Sequence, residues 1–222
     1  MLLFLLPLPC SGWTQLGSDI YADVATSAFG DNVALNAAGT VLAVGAPLKD
    51  GNNSLLSASG QVRVFEYVNS AWGPRGAPID GLAADDNFGN AVSLNHDGTV
   101  LAVGAHQANG FQGQVRVFQY SSGSWAPLGA VIESEGSLGS FGSSVSLNKN
   151  GDILAAGYRL ANGNQGIVRV FQCSNSTWSL LGAPMVGLTG SLEFGVKARL
   201  GTSVALNSAG NKVVVGALRY SQ

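Results

Sequence analysis

One stretch of this chain is written three times and begun a fourth. AGTVLAVGAPLKDGNNSLLSASGQVRVFEY starts at Ala38, DGTVLAVGAHQANGFQGQVRVFQY at Asp97, NGDILAAGYRLANGNQGIVRVFQC at Asn150 and AGNKVVVGALRY at Ala209. Self-similarity at a near-constant period is the mark of a unit that buries its apolar surface against copies of itself. Four landmarks define the unit. Phe29-Gly30, Phe88-Gly89, Phe141-Gly142 and Leu200-Gly201 open it, and at one fixed spacing a glycine follows at Gly39, Gly98, Gly151 and Gly210. A further glycine, again at constant spacing, comes at Gly45, Gly104, Gly157 and Gly216. Trp-x-x-x-Gly closes the unit at Trp72, Trp125 and Trp178, with an orphan copy at Trp13.

Where the spacing varies, it varies in loops. The interval from Gly30 to Gly89 equals that from Gly142 to Gly201, and the interval from Gly89 to Gly142 is shorter than both. The first excess lies in KDGNNSLLSASG and the second in GSLEFGVKAR. A stack of rigid units tolerates such insertions because loop closure costs little per added residue. The first insertion, with Leu55 and Leu56 between polar residues, is a candidate contact loop, with neutral drift as the plainer reading.

Within a unit the apolar period is two. NAVSLN alternates, TVLAVGA is a nearly continuous apolar run, QVRVFQY is β-branched and aromatic, and SWAPLG supplies a short fourth strand. The Asn-x-x-Gly bends NAAG, NHDG, NKNG and NSAG join the first two strands as hairpins. Small residues at Ala34, Ser93, Ser146 and Ala205 suit crowding near an axis. Nothing reads as a stable helix. Four antiparallel strands in each repeat predict an all-β fold, a β-propeller of four-stranded antiparallel blades. Three repeats are full and the fourth is incomplete, with blades near 29–76, 88–129, 141–182 and 200–222 and an orphan outer strand at 13–17.

FGNAVSLNHDGTVLAVGA with GQVRVFQY and the Trp-x-x-x-Gly closure resembles the FG-GAP repeats of integrin-α-like propellers, in the calcium-free variety of algal and bacterial surface proteins. The resemblance covers residues 13 to 222. It implies an extracellular or cell-surface protein. The Asp-rich calcium loop of the integrin repeat is shrunk here to LNHDGT or LNAAGT, with at most one carboxylate, so no metal and no cofactor is expected.

Composition agrees with extensive burial: 46% of residues are hydrophobic and 11% are charged. A net charge of −2 offers no basic footprint for nucleic acid. The apolar start, residues 1–12, reads either as a signal peptide or as a truncated chain start, and membrane contact is expected only through parts outside this chain. With Cys10 and Cys173 alone, no disulfide framework exists, and Cys173 reads as an apolar filler at a position held elsewhere by Tyr67 and Tyr120. Asn52 and Asn175 are N-glycosylation candidates.

Little in the sequence points to catalysis. His96 and His106 fall in a turn and a loop of one repeat, where solvated histidines are the expectation. The carboxylates Asp19, Asp23, Asp80, Asp85, Asp86, Glu133 and Glu135 gather in the linkers, as turn and solubility residues rather than an acid–base pair. Arg63, Arg116 and Arg169 recur once per blade and read as inter-blade bonds, and Trp72, Trp125 and Trp178 as packing anchors. The functional expectation is therefore a non-catalytic extracellular or cell-surface binding module for a protein or glycan ligand, not an enzyme. The alternatives are a glycan-active hydrolase or lyase on the same scaffold, or a structural fragment of a larger repeat protein. Repeat-breaking, convergent polar residues would mark the enzyme.

Overall fold

A computed structural model describes residues 5–7, 13–51, 57–134, 139–187 and 198–218. The all-β expectation holds. Strands β1 (Leu5–Pro7) and β2 (Trp13–Gln15) form a hairpin of their own. Blade 1 follows as β3 (Asn32–Leu35), β4 (Val41–Ala46), β5 (Gln61–Val68) and β6 (Ala71–Pro74), ordered from inside to outside, with the short β7 (Ile79–Asp80) returning along β5. Blade 2 repeats this with β8 (Phe88–Leu94), β9 (Val100–Ala105), β10 (Gln114–Ser121), β11 (Ser124–Pro127) and β12 (Ile132–Glu133). Blade 3 comprises β13 (Phe141–Leu147), β14 (Ile153–Tyr158), β15 (Ile167–Ser174), β16 (Thr177–Leu180) and β17 (Met185–Val186). The last sheet has two described strands, β18 (Leu200–Leu206) and β19 (Val213–Ala217).

Adjacent blades meet along their innermost strands, β3 to β8 to β13 to β18, which line the axis. The Asn-x-x-Gly turns lie on one face, the turn face. Loops from second to third strand and the blade-to-blade linkers lie on the other, the linker face. Each turn is closed by its asparagine. Asn95 Oδ1 accepts from the amides of Thr99 at 2.8 Å and Val100 at 2.9 Å. Asn36, Asn148 and Asn207 do the same in their blades. Successive turns are stitched together as well. The amide of Ala37 donates to the His96 carbonyl, that of His96 to Lys149, and that of Lys149 to Ser208.

The second strands explain the near-continuous apolar runs: β4, β9 and β14 are buried at every position because both of their faces meet another layer. Of the aromatic members of the Phe-Gly landmark, Phe88 and Phe141 are completely buried between blades and Phe29 of blade 1 is partly buried. The glycines beside them have a tighter reason. In blades 2 and 3 the first strand carries a bulge directly after the landmark. Gly89 sits there at φ 93 and Gly142 at φ 78, in the left-handed region. The bulged Gly142 backbone presses against Gly104 of the preceding blade, so a β-carbon at Gly104 would overlap the Gly142 carbonyl oxygen. Gly45 meets Gly89 and Gly157 meets Gly201 in the same way. The Phe-Gly and Gly-Ala landmarks are therefore two halves of one inter-blade contact.

Two expectations change. The second-to-third-strand loops of blades 2 and 3 each contain a single helical turn, α1 (Ala108–Phe111) and α2 (Ala161–Asn164). Their Asn-Gly pairs sit in the left-handed region, with Asn109 at φ 53 and Gly110 at φ 66 in α1, so the turns cannot propagate. The orphan outer strand at the front has a third-strand partner, because β1 pairs with β2. Asn52, Leu55, Leu56, Glu135 and Cys10 lie outside the described residues.

Candidate active site at the linker face

Most of the repeated polar residues are spent on the scaffold. Trp72 Nε1 donates to the Leu16 carbonyl at 3.0 Å, Trp125 to Arg75 at 2.8 Å and Trp178 to Leu128 at 2.9 Å, each time across to the segment before its own blade. Arg116 bonds the Asp80 carbonyl at 2.9 Å and lies over the Phe88 and Phe118 rings. Arg63 pairs with Asp23 at 2.8 Å, and Arg169 stacks on Tyr158. Among the linker acids, Asp19 accepts from Gln15 and Tyr21, Asp80 from Gln61, Asp85 from Ser57 and Asp86 from the Ala83 amide. Burial raises the Asp86 carboxyl above its ordinary range. Glu133 stands exposed on β12. Asn175 occupies the exposed turn between β15 and β16 at φ 48. Cys173, half-buried opposite Trp178, has its thiol pushed up by burial.

The two ends of the axis differ. On the turn face a depression of about 240 Å³ is lined by Leu35, Leu94, Leu147 and Leu206, with His96 and Lys149 at its rim. Its asparagine oxygens are consumed by the turns, and His96 Nδ1 is engaged with Asp97 Oδ1 at 2.8 Å in solvent. That face holds no poised group among the described residues.

The linker face does. The residue after each Gly-Ala-type strand end is Pro47, His106, Arg159 and Leu218, and the residue before each Phe-Gly landmark is Ala28, Asn87, Ser140 and Arg199. These positions are equivalent by register and carry a different residue in each blade. His106 corrects the expectation of a solvated loop histidine. Its amide is held by Asn90 Oδ1 at 2.9 Å, and Asn90 Nδ2 reaches across to the Gly142 carbonyl at 3.2 Å. Gln107 anchors the same corner through Asn87 Oδ1 at 2.8 Å. The imidazole Nδ1 is buried without a hydrogen-bond partner among the described residues. Burial, and secondarily the charge of Arg159, lower the His106 pKa from 6.5 to about 4. Arg159 is itself lowered by burial and by the charge of Arg199, and its Nε is buried without a partner among the described residues. A neutral imidazole can accept a proton, and the guanidinium of Arg159 beside it, with that of Arg199 in turn beside Arg159, can hold an anion. No cluster of three or more metal-ligating side chains occurs among the described residues.

The repeat-registered arginines, tryptophans and acids drew the sequence expectation away from this corner. The signal was present: His106 and Arg159 occupy one register position of successive blades and Arg199 a second one, and each breaks its repeat series. Seeing them as neighbours needed the blade-to-blade stacking.

No protein-family model matches the chain. No curated protein matches it either. Among solved structures it superposes, with a TM-score of 0.55 and 14% identity, on the crystal structure of a "putative 6-phosphogluconolactonase" from Bacteroides uniformis, over 97% of this chain and 57% of that one. The chain thus spans little more than half the length of that protein, and the likeness is one of fold. Two expectations are overturned. The FG-GAP resemblance finds no support: no family model matches, and the fold match is to a protein described as a lactonase. Physically, its landmarks serve the stacking of these blades, a buried aromatic and two glycines in contact. The expectation of a chain without chemistry of its own is corrected likewise. The matched protein is described as a "putative 6-phosphogluconolactonase", and at the linker face the repeat-breaking His106 lies within reach of the charge of Arg159.

Proposed function

We propose that the chain is a hydrolase built on a propeller, acting on a lactone or similarly activated ester of an anionic sugar acid at the linker face. The observation that carries this reading is the half-buried His106, its Nδ1 enclosed and its imidazole held neutral, with Arg159 and Arg199 beyond it. The lactonase description of the fold neighbour supports the substrate class.

In this reading the anionic group of the substrate lies against Arg159. The opposing charge raises the His106 pKa from its resting value of about 4 toward the range of a working base. The imidazole takes a proton from water as the water oxygen bonds to the lactone carbonyl carbon. The guanidinium charge stabilises the oxyanion. Collapse of that intermediate breaks the ring C–O bond, and the imidazolium returns the proton to the departing alkoxide, leaving a hydroxy acid. Asn90 and Gln107 position the histidine corner through the bonds described above.

The test is hydrolysis of a phosphorylated and an unphosphorylated six-carbon sugar δ-lactone, followed by proton release against the spontaneous rate. His106→Gln is expected to lower kcat by about 100-fold or more, the range of general base catalysis. Arg159→Met is expected to raise KM for the phosphorylated substrate more than for the other. A wild-type rate equal to the spontaneous one, or an unimpaired His106→Gln enzyme, would refute the reading.

A further inference from the structure

Blades 2 and 3 pass the candidate site with the same loop, changed at one residue. ANGFQG runs from Ala108 to Gly113 and ANGNQG from Ala161 to Gly166, so Phe111 stands where blade 3 has Asn164. The backbone is alike in both. Phe111 sits at φ 66 and Asn164 at φ 74, each following an Asn-Gly pair that is already in the left-handed region. The Phe111 amide donates to the Gln107 carbonyl at 2.9 Å, and the Asn164 amide to the Leu160 carbonyl at 3.2 Å. Both carbonyls accept from the linker that follows: Phe111 from the amides of Gly139 at 3.1 Å and Ser140 at 2.9 Å, Asn164 from that of Arg199 at 3.0 Å.

For this backbone asparagine is the ordinary residue and phenylalanine is not. Asparagine enters the left-handed region readily, whereas a bulky side chain there is strained and persists only where something else holds it. Burial does not offset the strain. Phe111 is 52% exposed and belongs to none of the three apolar clusters. The fold alone would therefore favour the asparagine that the neighbouring loop carries.

The place of Phe111 supplies the reason for it. Gln107, which takes its amide, directly follows His106. Ser140, which its carbonyl holds, stands opposite Arg159, since Phe141 pairs with Tyr158 and the Leu160 amide donates to the Gly139 carbonyl at 3.1 Å. The backbone of Phe111 is thus bonded to both the His106 and the Arg159 corners, and its side chain stands half open to solvent at the rim between them. We propose that Phe111 is a specificity-determining residue of the linker-face site, its ring laid against the carbon face of the substrate's sugar-derived ring. The ligand class rests on the hydrolase reading above. A sugar lactone presents an anionic group and a carbonyl to the arginines and the histidine, and a face of C–H bonds that an aromatic ring covers.

Phe111→Asn writes the blade 3 loop into blade 2. It is expected to raise Tm by about 2–4 °C as the left-handed position is relieved. It is also expected to raise KM for the phosphorylated six-carbon sugar δ-lactone about 10-fold while kcat falls by no more than about twofold, the pattern of a lost binding contact. A residue that served the fold alone would not strengthen the fold and weaken binding in one substitution. Calorimetric titration with the phosphorylated six-carbon sugar acid, the product of hydrolysis, reads the same loss without turnover, as a Kd about 10-fold higher. A wild type that hydrolyses neither lactone but binds the acid in a Phe111-dependent way would overturn the hydrolase reading and support this proposal. An active wild type whose KM and Kd do not move in the variant would overturn this proposal and leave the hydrolase reading standing. A lower Tm for Phe111→Asn, or a wild type that binds neither the lactone nor the acid, would overturn it as well.

Discussion

Adding one methyl group to Gly104 tests whether blade stacking is organised around paired glycines. In the folded chain that β-carbon would lie 3.0 Å from the Gly142 carbonyl carbon and 3.3 Å from its α-carbon, and closer still to the carbonyl oxygen. All three atoms belong to backbone, so no side chain can rotate away. Gly142 is held in its bulge at φ 78, with the Gln114 carbonyl on its other side, which leaves little room to retreat. Relief requires blades 2 and 3 to separate locally, loosening the cluster of Ala102, Val115, Phe141 and Ala156. Overpacking a close-packed interior costs about 1–3 kcal/mol and more where the neighbours are rigid, so Gly104→Ala is placed at about 3 kcal/mol or above. For a domain of this size about 1 kcal/mol moves Tm by about 2–4 °C, which gives a fall of about 6–12 °C. Gly73→Ala is the control. Nothing lies within 4 Å of that β-carbon on the outer strand β6, and its φ is compatible with alanine. It should be neutral or raise stability by up to about 1 kcal/mol through the unfolded chain. Calorimetric or fluorescence melts of the two variants decide the matter: equal Tm values would refute the glycine-contact account.

His106 makes stability depend on pH. Its folded pKa of about 4 lies below the ordinary 6.5, so its contribution is present above pH 6.5 and is lost as pH falls through 6.5 toward 4. The ceiling is about 3 kcal/mol, and partial solvation of the ring reduces the expected loss to about 1–2 kcal/mol. His106→Gln should flatten the urea midpoint over that window, and an unchanged slope would refute the buried-neutral assignment. Ser93→Ala removes the acceptor of the Leu147 amide, a 3.0 Å bond between blades 2 and 3. The change should cost about 1–3 kcal/mol in the same denaturation assay, and an unmoved midpoint would show that the bond does not hold the blades together. Melts in chelator and in excess calcium should coincide, since the turns carry a single capping asparagine and at most one carboxylate; a calcium-dependent rise in Tm would show that the linker acids bind metal.

The all-β class and the four-strand unit were legible because strand alternation, the Asn-x-x-Gly turns and the apolar second strand are local properties. Val100 to Ala105 reads as a buried strand in isolation, and it is one. Asn95 announces its turn because the bonds it makes, to Thr99 and Val100, reach only to near neighbours along the chain. What the repeat contains is thus a matter of neighbours along the chain. Contacts between units are not. That Gly104 must be glycine because of Gly142, that Ser93 serves Leu147, and that β1–β2 has the form of an outer half-blade all depend on stacking, which a linear reading does not display. The candidate site belongs wholly to this second class. His106 by itself is a loop histidine in a polar stretch; only the stacking of the blades half-buries its ring and brings the charge of Arg159 to it, because electrostatic and desolvation effects act through space and not along the sequence.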